Sequence, residues 1–344
     1  MTFSSHRLTT NLFIVFLLAT SYQSANAATR EYWIAAEKVD WNYAPSGKNL
    51  INPEHSMDVW GHDLVYKKYR YIEYADSQFK KQLEQPRWMG ILGPQLRAVE
   101  GDTLVVHFLN RSEKPLSIHP HGVLYDKANE GADGKGAGAA VAPGKSFTYR
   151  WKVDENAAPG PNDPSSIVWA YHSHVDSVTE IYDGLIGTLV ITKKGMERST
   201  QDPRPKDIDV AFTNMFMVFD ENGREAINNH NEDESLSEEE LEEGHLKHTM
   251  NGYIFGNLQG LEVKRGQKVR WHLIAMGTEV DLHTAHWHGQ TVLENGHRTD
   301  VVELLPTSMK SVDMTATNPG DWLFHCHVTD HITAGMMTRW HVSN

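Results

Sequence analysis

A strand that leads into a closely spaced histidine pair occurs twice along the chain, and this duplication limits the possible folds. Residues 101–107 (GDTLVVH) precede 119–122 (HPHG), and residues 266–272 (GQKVRWH) precede 286–289 (HWHG). Further on, residues 169–174 (WAYHSH) match residues 322–327 (WLFHCH). The copies lie about 150–170 residues apart, which is the size of one domain. The sequence therefore predicts two similar domains.

Alternating side chains indicate that both domains are built from strands. Residues 146–153 place Phe147, Tyr149 and Trp151 on one face, and residues 268–273 do the same with Val269, Trp271 and Leu273. A period of two, broken by turns rich in Gly, Pro and Asn, is typical of β-sandwiches. We predict an all-β fold with domains at residues 28–195 and 196–344. Ser237 and Glu240 form a capping box that predicts one short helix in the acidic segment 232–243.

Residues 1–27 have the pattern of a secretory signal peptide. His6 and Arg7 precede the apolar run 12–19, and Ala25-Asn26-Ala27 forms a cleavage site. The run is too short for a membrane-spanning helix, and no other stretch is long and apolar enough. We expect export to the periplasm or the extracellular space, with an uncleaved anchor as the alternative. The formal net charge of −13 disfavours nucleic acid and anionic membranes as partners.

Half of the 20 histidines lie in four clusters. These are His119/His121, His172/His174, His283/His286/His288 and His325/His327/His331. Residues i and i+2 of a strand point the same way, so each H-x-H pair directs two imidazoles to one side. Two pairs from each half of the chain can enclose a cluster of metal ions.

The single cysteine, Cys326, excludes an intramolecular disulfide framework and has metal-binding neighbours on both sides. His331 and Met336 follow it, and His283 supplies a second imidazole from the preceding strand. A thiolate, two imidazoles and a weak thioether form the ligand set of a blue-copper centre, and zinc has no use for the thioether. His325 and His327 flank the thiolate, which places a one-electron acceptor beside the multi-metal cluster. That combination suits the four-electron reduction of dioxygen to water.

The motifs H-x-H-G, H-x-H, H-x-x-H-x-H and H-C-H-x-x-x-H-x-x-x-x-M resemble those of the multicopper oxidases, in the same order. The resemblance implies two cupredoxin-like Greek-key β-sandwich domains and four coppers per subunit. It implies type 1 ligands Cys326, His283, His331 and Met336, and type 2 ligands His119 and His286. It implies type 3 ligands His121, His172, His174, His288, His325 and His327. Because Ser173 stands where the second half has Cys326, the first domain should hold no type 1 copper.

Segments 66–109, 170–191, 251–288 and 321–336 are similar to the first and last domains of the ceruloplasmin/hephaestin ferroxidase family. This resemblance implies an Fe(II) site at Glu243, His248 and Asp330, with Glu279 as a fourth ligand from another domain. Hard oxygen ligands favour Fe(III) over Fe(II), so they make bound iron easier to oxidise. The expected partners are dioxygen and Fe(II), or another small reducing substrate.

The resemblance also bears on assembly. In the six-domain relatives the copper cluster lies where the last domain meets the first. Two domains cannot close such a ring, but three chains supply six. We therefore predict a homotrimer, with each trinuclear cluster between domain 1 of one subunit and domain 2 of its neighbour. Glu279 would then reach the iron site of an adjacent subunit.

Other functions compete with the ferroxidase hypothesis. A laccase-like oxidase of phenols or Cu(I) would use the same coppers and stays open at this point, although no methionine-rich loop suggests a dedicated Cu(I) site. Copper nitrite reductase is also a two-domain trimer, but it lacks the binuclear pair that His172/His174 and His325/His327 predict. A non-catalytic copper-binding or electron-transfer protein would leave eight of the predicted ligands unexplained.

Overall fold

The computed structural model describes Met1 and residues 27–344, apart from residues 133, 135, 225, 228–235 and 279–280. The predicted signal segment therefore lies almost entirely outside the described residues, and Glu279 lies outside them as well. In the part of the chain that is described, no helix has the length and apolar character that a membrane crossing requires.

The first half of the chain forms two four-stranded sheets. Its strands are β1 (Thr29–Asn42), β2 (Val65–Tyr74), β3 (Gln95–Val99), β4 (Thr103–Asn110), β5 (His119–Pro120), β6 (Ser146–Lys152), β7 (Ser166–His172) and β8 (Ile186–Thr192). The sheet orders are β2-β1-β4-β6 and β3-β8-β7-β5. Leu96, Phe108, Tyr149, Trp151 and Leu189 pack between the two sheets as a buried core.

The second half repeats this architecture with larger sheets. Its strands are β9 (Val210–Asp220), β10 (Leu246–Met250), β11 (Glu262–Lys264), β12 (Lys268–Ala275), β13 (His283–Trp287), β14 (Val292–Glu294), β15 (His297–Thr299), β16 (Val301–Leu304), β17 (Met309–Thr315), β18 (Gly320–Cys326) and β19 (Met337–Ser343). The sheet orders are β10-β9-β12-β17-β14-β15 and β11-β19-β18-β13-β16. The predicted all-β fold of two sandwiches is confirmed. The residue limits of the two domains stay a prediction.

Helices are short and lie between strands. They are α1 (Ser177–Tyr182), α2 (Glu238–Gly244) and α3 (Thr329–Thr333), with 3₁₀ turns at Asp58–Gly61, Arg87–Met89 and Lys127–Asn129. The predicted capping box begins α2, because the Ser237 hydroxyl accepts from the backbone N–H of Glu240 at 3.3 Å and the Glu240 carboxylate accepts from that of Ser237 at 2.8 Å. These contacts satisfy backbone donors that the first turn of a helix leaves free.

The two alternating segments behave differently once folded. In β6, Tyr149 and Trp151 face the core while Arg150 and Lys152 are exposed, as the alternation predicts. In β12 every residue after Lys268 is buried. The difference arises because the second face of β12 lies against the first domain, where the Arg270 guanidinium donates to the hydroxyls of Ser165 and Ser166 at 2.8 Å. Alternating side chains in the sequence indicate that one face of a strand is buried. They do not reveal that the opposite face lies against another domain.

A third buried cluster joins the two sandwiches. It includes Trp41 and Ile186 from the first half and Met215, Phe255 and Ile274 from the second. The connection between β1 and β2 crosses this interface, where the Ile254 N–H donates to the Tyr43 carbonyl at 3.1 Å and the Leu50 N–H to the Phe255 carbonyl at 2.9 Å. The first domain is thereby held against the end of the second domain that carries Cys326.

Candidate functional site

Three strands and a helix bring the predicted blue-copper ligands together. Cys326 ends β18, and His283 begins the adjacent antiparallel β13, whose register pairs Ala285 with Cys326. His331 lies in α3, directly after β18, and Met336 immediately precedes β19. The Cys326 N–H donates to the Met336 carbonyl at 3.0 Å, which ties the chain segments on both sides of α3 together.

The thiol and the two imidazoles face one another in a buried pocket. The Sγ atom of Cys326 lies 3.5 Å from Nδ1 of His331 and 3.9 Å from Nδ1 of His283. The two Nδ1 atoms are 3.1 Å apart. Cys326 and Met336 are fully buried, and the two histidines are nearly so. Three converging ligand atoms, free of bulk water, form a site of the size that one metal ion needs.

The protonation of Cys326 suits a soft metal. Burial alone would raise the pKa of Cys326, but hydrogen bonds with His283 and His331 outweigh it and lower the pKa to about 6. The thiolate is the form that binds metals. For His283, burial acts to lower the pKa, yet hydrogen bonds with Asp281 and Cys326 prevail and raise it. Thiolate, two imidazoles and a neighbouring thioether residue fit copper, as the sequence predicts.

Asp281 is a functional residue that the sequence reasoning missed. Its fully buried carboxylate accepts from Nε2 of His283 at 3.2 Å and from the N–H groups of Val218 and Thr278, both at 2.8 Å. A carboxylate on the far ring nitrogen fixes the orientation of a metal-binding histidine. The available signal was the position of Asp281 two residues before His283.

The histidine pairs of the first domain form a quartet, which we call quartet 1: His119, His121, His172 and His174. Its contacting ring centroids lie 5.1–5.6 Å apart, and the Nε2 atoms of His121 and His172 are 3.1 Å apart. His119 donates from Nδ1 to the Glu130 carbonyl at 2.7 Å, and His172 from Nδ1 to the Ser173 carbonyl at 2.8 Å. Because a carbonyl can only accept, both rings keep Nε2 unprotonated for a metal when they are neutral.

The second domain repeats this construction in quartet 2, which consists of His286, His288, His325 and His327. Its contacting centroids lie 5.0–5.4 Å apart, and the Nε2 atoms of His288 and His325 are 3.0 Å apart. His286 donates from Nδ1 to the Asp300 carbonyl at 2.9 Å, and His325 from Nδ1 to the Cys326 carbonyl at 2.6 Å. His286 and His325 match His119 and His172, so the same two positions of each quartet donate from Nδ1 to a backbone carbonyl.

Burial keeps several of these imidazoles neutral. Burial, reinforced by neighbouring histidines, lowers the pKa of His121 and His325 to about 4 each and that of His172 to about 3. Neutral imidazole is the form that binds metals. In the described part of the chain, every ring contact of a quartet histidine is with a residue of its own domain. The chain thus carries two similar half-sites and does not bring them into contact.

The residues predicted for iron lie next to the thiolate cluster. His248, in β10, packs against His331 with ring centroids 5.0 Å apart and planes tilted by 49°, and its Nδ1 donates to the Leu246 carbonyl at 3.1 Å. Glu243 lies in α2 and Asp330 in α3, and both are exposed. Burial raises the pKa of Glu243, Trp60 acts in the opposite direction, and the nearby Asp330 raises it further. Asp330 directly precedes His331 and His248 contacts the His331 ring, so these residues and Glu243 lie in one neighbourhood, whereas Glu279 lies outside the described residues.

Two protein-family models match the chain, and both are described as multicopper oxidase. They cover residues 73–196 and 226–344. Human hephaestin is 37% identical over 96% of this chain and 31% of its own length. Human ferroxidase HEPHL1 is 37% identical over 92% of this chain and 29% of its own length, and human ceruloplasmin is 37% identical over 91% and 30%. The chain therefore spans about a third of the length of the curated relatives it matches.

Solved structures share the fold. A structure titled as the crystal structure of a multicopper oxidase matches with a TM-score of 0.62 and 23% identity, covering 92% of this chain and 89% of that one. A blue copper oxidase from Nitrosomonas europaea matches with a TM-score of 0.61 and 21% identity, covering 91% of this chain and 86% of that one. Unlike the longer relatives, these proteins are close to this chain in size.

Proposed function

The chain belongs to the multicopper oxidases, and we propose that it is a ferroxidase, coupling the one-electron oxidation of Fe(II) to the four-electron reduction of dioxygen to water. One relative that is 37% identical over most of this chain is named a ferroxidase. That relative is much longer than this chain, so the proposal rests on the site of this chain.

The observation that carries the proposal is what surrounds His331. Both histidines of the thiolate cluster are almost inaccessible, with exposed fractions of 1% for His283 and 5% for His331. His248 covers the His331 ring, and the carboxylates of Glu243 and Asp330 are gathered beside it. A phenol needs an exposed ring edge to contact, whereas a small hard cation needs oxygen ligands. The surroundings of His331 therefore favour Fe(II) over an aromatic substrate.

The donor sets fit copper, which when bound supplies one-electron transfer and the reduction of dioxygen. Cys326, His283, His331 and Met336 would hold the type 1 ion. His119 and His286 would hold type 2, and the other six quartet histidines the type 3 pair, giving four coppers per subunit. Ser173 occupies the position in the first domain that Cys326 has in the second, so we place no type 1 ion there.

The chain links the two kinds of site covalently. Cys326 is bonded through the backbone to His325 and His327, both members of quartet 2. The hydrogen bond from Nδ1 of His325 to the Cys326 carbonyl, 2.6 Å long, adds a second and shorter connection. His325 and Cys326 end β18 and His327 follows directly, so the thiolate and both imidazoles are held at one end of a single strand.

The two separate quartets support the homotrimer that the sequence predicts. A trinuclear site needs all eight quartet histidines, so quartet 1 of one subunit would meet quartet 2 of the next. Exposed apolar side chains occur in both domains, most of them within five residues of a quartet histidine in the sequence, and exposed apolar patches mark interaction surfaces. They are Leu124, Val175 and Val178 in the first domain, and Leu282, Leu293 and Leu305 in the second. In this assembly Glu279 would approach the iron site of an adjacent subunit.

Export to the periplasm or the extracellular space is part of the proposal. Oxidation of Fe(II) requires no reducing compartment, and the thiolate ligand is buried. The expected partners are dioxygen and Fe(II), and no nucleic acid or membrane. The acidic net charge of −13 supports attraction of a cation.

Substitution of the carboxylates tests the proposal. We expect Glu243→Ala and Asp330→Ala each to lower kcat/KM for Fe(II) by about 10-fold or more, since each removes a hard ligand. Oxidation of a phenol such as 2,6-dimethoxyphenol should be unchanged or faster. Glu239→Ala, on the exposed face of the same helix, is the matched control and should behave as the wild type. Unchanged Fe(II) kinetics in both carboxylate variants, or a wild type that prefers the phenol or Cu(I), would favour a laccase-like oxidase instead.

A further inference from the structure

The long connection between β1 and β2 brings a part of the first domain to the candidate iron site in the second. The 3₁₀ turn Asp58–Gly61 in this connection is pressed against the end of α2. A Cβ atom placed on Gly244 would lie 2.6 Å from the Val59 carbonyl oxygen, so only glycine fits at this contact. The buried ammonium group of Lys247 donates to the carbonyls of Trp60 at 3.0 Å and Gly244 at 2.5 Å. Lys247 therefore fixes the backbone of Trp60 relative to α2, which carries Glu243.

The side chain of Trp60 forms a wall of the same site. Its ring meets that of His248 edge-on, with centroids 6.4 Å apart and planes at 90°, and it meets Phe255 at 6.4 Å. The His248 ring in turn packs on that of His331, with ring centroids 5.0 Å apart. Trp60 is 9% exposed, so the large ring is held by packing on several sides. The Trp60 ring thus packs on His248 and His248 on His331, so Trp60 forms part of the buried wall beside His331.

The indole N–H of Trp60 has a specific polar neighbour. Nε1 is buried and makes no hydrogen bond of good geometry. A buried donor without an acceptor is costly, at about 1–3 kcal/mol. Glu243 is the carboxylate beside Trp60 in the fold, because it directly precedes Gly244, whose backbone is pressed against Val59 and shares the Lys247 ammonium group with Trp60. A small rotation of the Glu243 side chain would supply the missing acceptor and turn the carboxylate towards an ion beside His248.

We propose that Trp60 is the specificity-determining residue of the substrate site: its ring excludes aromatic substrates from His331, and its N–H orients Glu243 towards a divalent cation. This inference rests on the proposed ferroxidase function and adds the residue that selects between cation and phenol. Trp60 acts through Glu243 and His248, so it is a positioning residue rather than a ligand.

Two substitutions separate the two effects of Trp60. Trp60→Phe keeps a ring and removes the N–H, and we expect KM for Fe(II) to rise several-fold with kcat and phenol kinetics unchanged. Trp60→Ala opens the wall, and we expect kcat/KM for 2,6-dimethoxyphenol to rise at least 10-fold. The blue absorption of the copper-loaded protein should stay the same in both. Calorimetric titration with Co²⁺, which this site would bind without oxidising it, should show affinity weakened several-fold in Trp60→Phe.

A matched control is Trp33→Phe, a tryptophan of the same domain that stacks on His107 away from these residues. Wild-type Co²⁺ affinity and wild-type Fe(II)-to-phenol preference in both Trp60 variants would overturn the inference. If Trp60→Ala does not fold, Trp60→Leu, which keeps an apolar filling but loses the planar ring, takes its place. The preference of the wild type for Fe(II) over the phenol tests the proposed function. The change in that preference on substitution tests the role of Trp60, so failure of one proposal can be distinguished from failure of the other.

Discussion

Replacement of Asp281 by asparagine isolates the contribution of a buried carboxylate to the thiolate cluster. Three donors converge on this group: Nε2 of His283 and the Val218 N–H on one oxygen, and the Thr278 N–H on the other. Asparagine has the same shape. Its single oxygen can keep the first two contacts, but its NH₂ group must then face the Thr278 N–H.

The magnitude follows from these contacts. Asp281→Asn loses one hydrogen bond to a charged acceptor, which costs about 1.5–3 kcal/mol. Asp281→Ala leaves three donors without an acceptor, at about 1–3 kcal/mol each, so it should cost at least about 3 kcal/mol, at the upper end of what single substitutions usually cost. Because the far nitrogen of His283 loses its charged partner in both variants, copper affinity at the thiolate cluster should fall about 10–100-fold.

Denaturant titration of the metal-free protein measures the stability change, and competition with a copper chelator, followed through the blue thiolate–copper absorption, measures the affinity. Asp220→Asn is the control, because the Oδ1 atom of Asp220 accepts from the N–H of Asn222 in a solvent-exposed turn. Its stability should change by no more than about 0.5 kcal/mol. Wild-type stability and copper affinity in Asp281→Asn would refute the argument that Asp281 orients His283.

Three further outcomes are expected. Folding lowers the pKa of His172 to about 3 and of His248 and His325 to about 4, so below their ordinary pKa of 6.5 the unfolded chain binds more protons than the folded one. The stability of the metal-free protein should therefore fall as the pH drops from about 6.5 to 4, by up to about 1.4 kcal/mol per histidine and pH unit. A stability that does not change with pH over this range would contradict this. Cys326→Ser should abolish the blue absorption while the protein keeps its quartet copper, as measured by visible and paramagnetic resonance spectra. Val178→Asp should give monomers that lose quartet copper, as determined by light scattering and copper analysis, whereas a monomer with a full copper complement would contradict the shared cluster.

Much of the site could be predicted because it is encoded locally. Each H-x-H pair lies at the end of a strand, with its second histidine one or two residues beyond the last strand residue, and its two rings still meet. Cys326 has His325 and His327 beside it and His331 about one turn away, whereas His283 comes from the neighbouring strand. The alternation of Tyr149 and Trp151 likewise identified β6. Such short-range patterns survive folding because the strand geometry itself produces them.

The remaining features depend on contacts between distant segments. Asp281 became recognisable only through its contacts with Val218 and His283, and the second buried face of β12 only through Ser165 and Ser166 in the other domain. Trp60 lies far from His248 in sequence, and its ring reaches that histidine because the connection between β1 and β2 crosses the domain interface. No local pattern marks a residue whose partners come from another domain.

Oxygen uptake by the copper-loaded protein, measured together with the oxidation of Fe(II) and of 2,6-dimethoxyphenol, tests the central claim most directly. We predict that four Fe(II) are oxidised per dioxygen consumed, without accumulation of hydrogen peroxide. We also predict a kcat/KM for Fe(II) at least 10-fold above that for the phenol, which corresponds to a transition-state preference of about 1.4 kcal/mol or more. Faster oxidation of the phenol than of Fe(II), or Fe(II) oxidation without this stoichiometry, would contradict it.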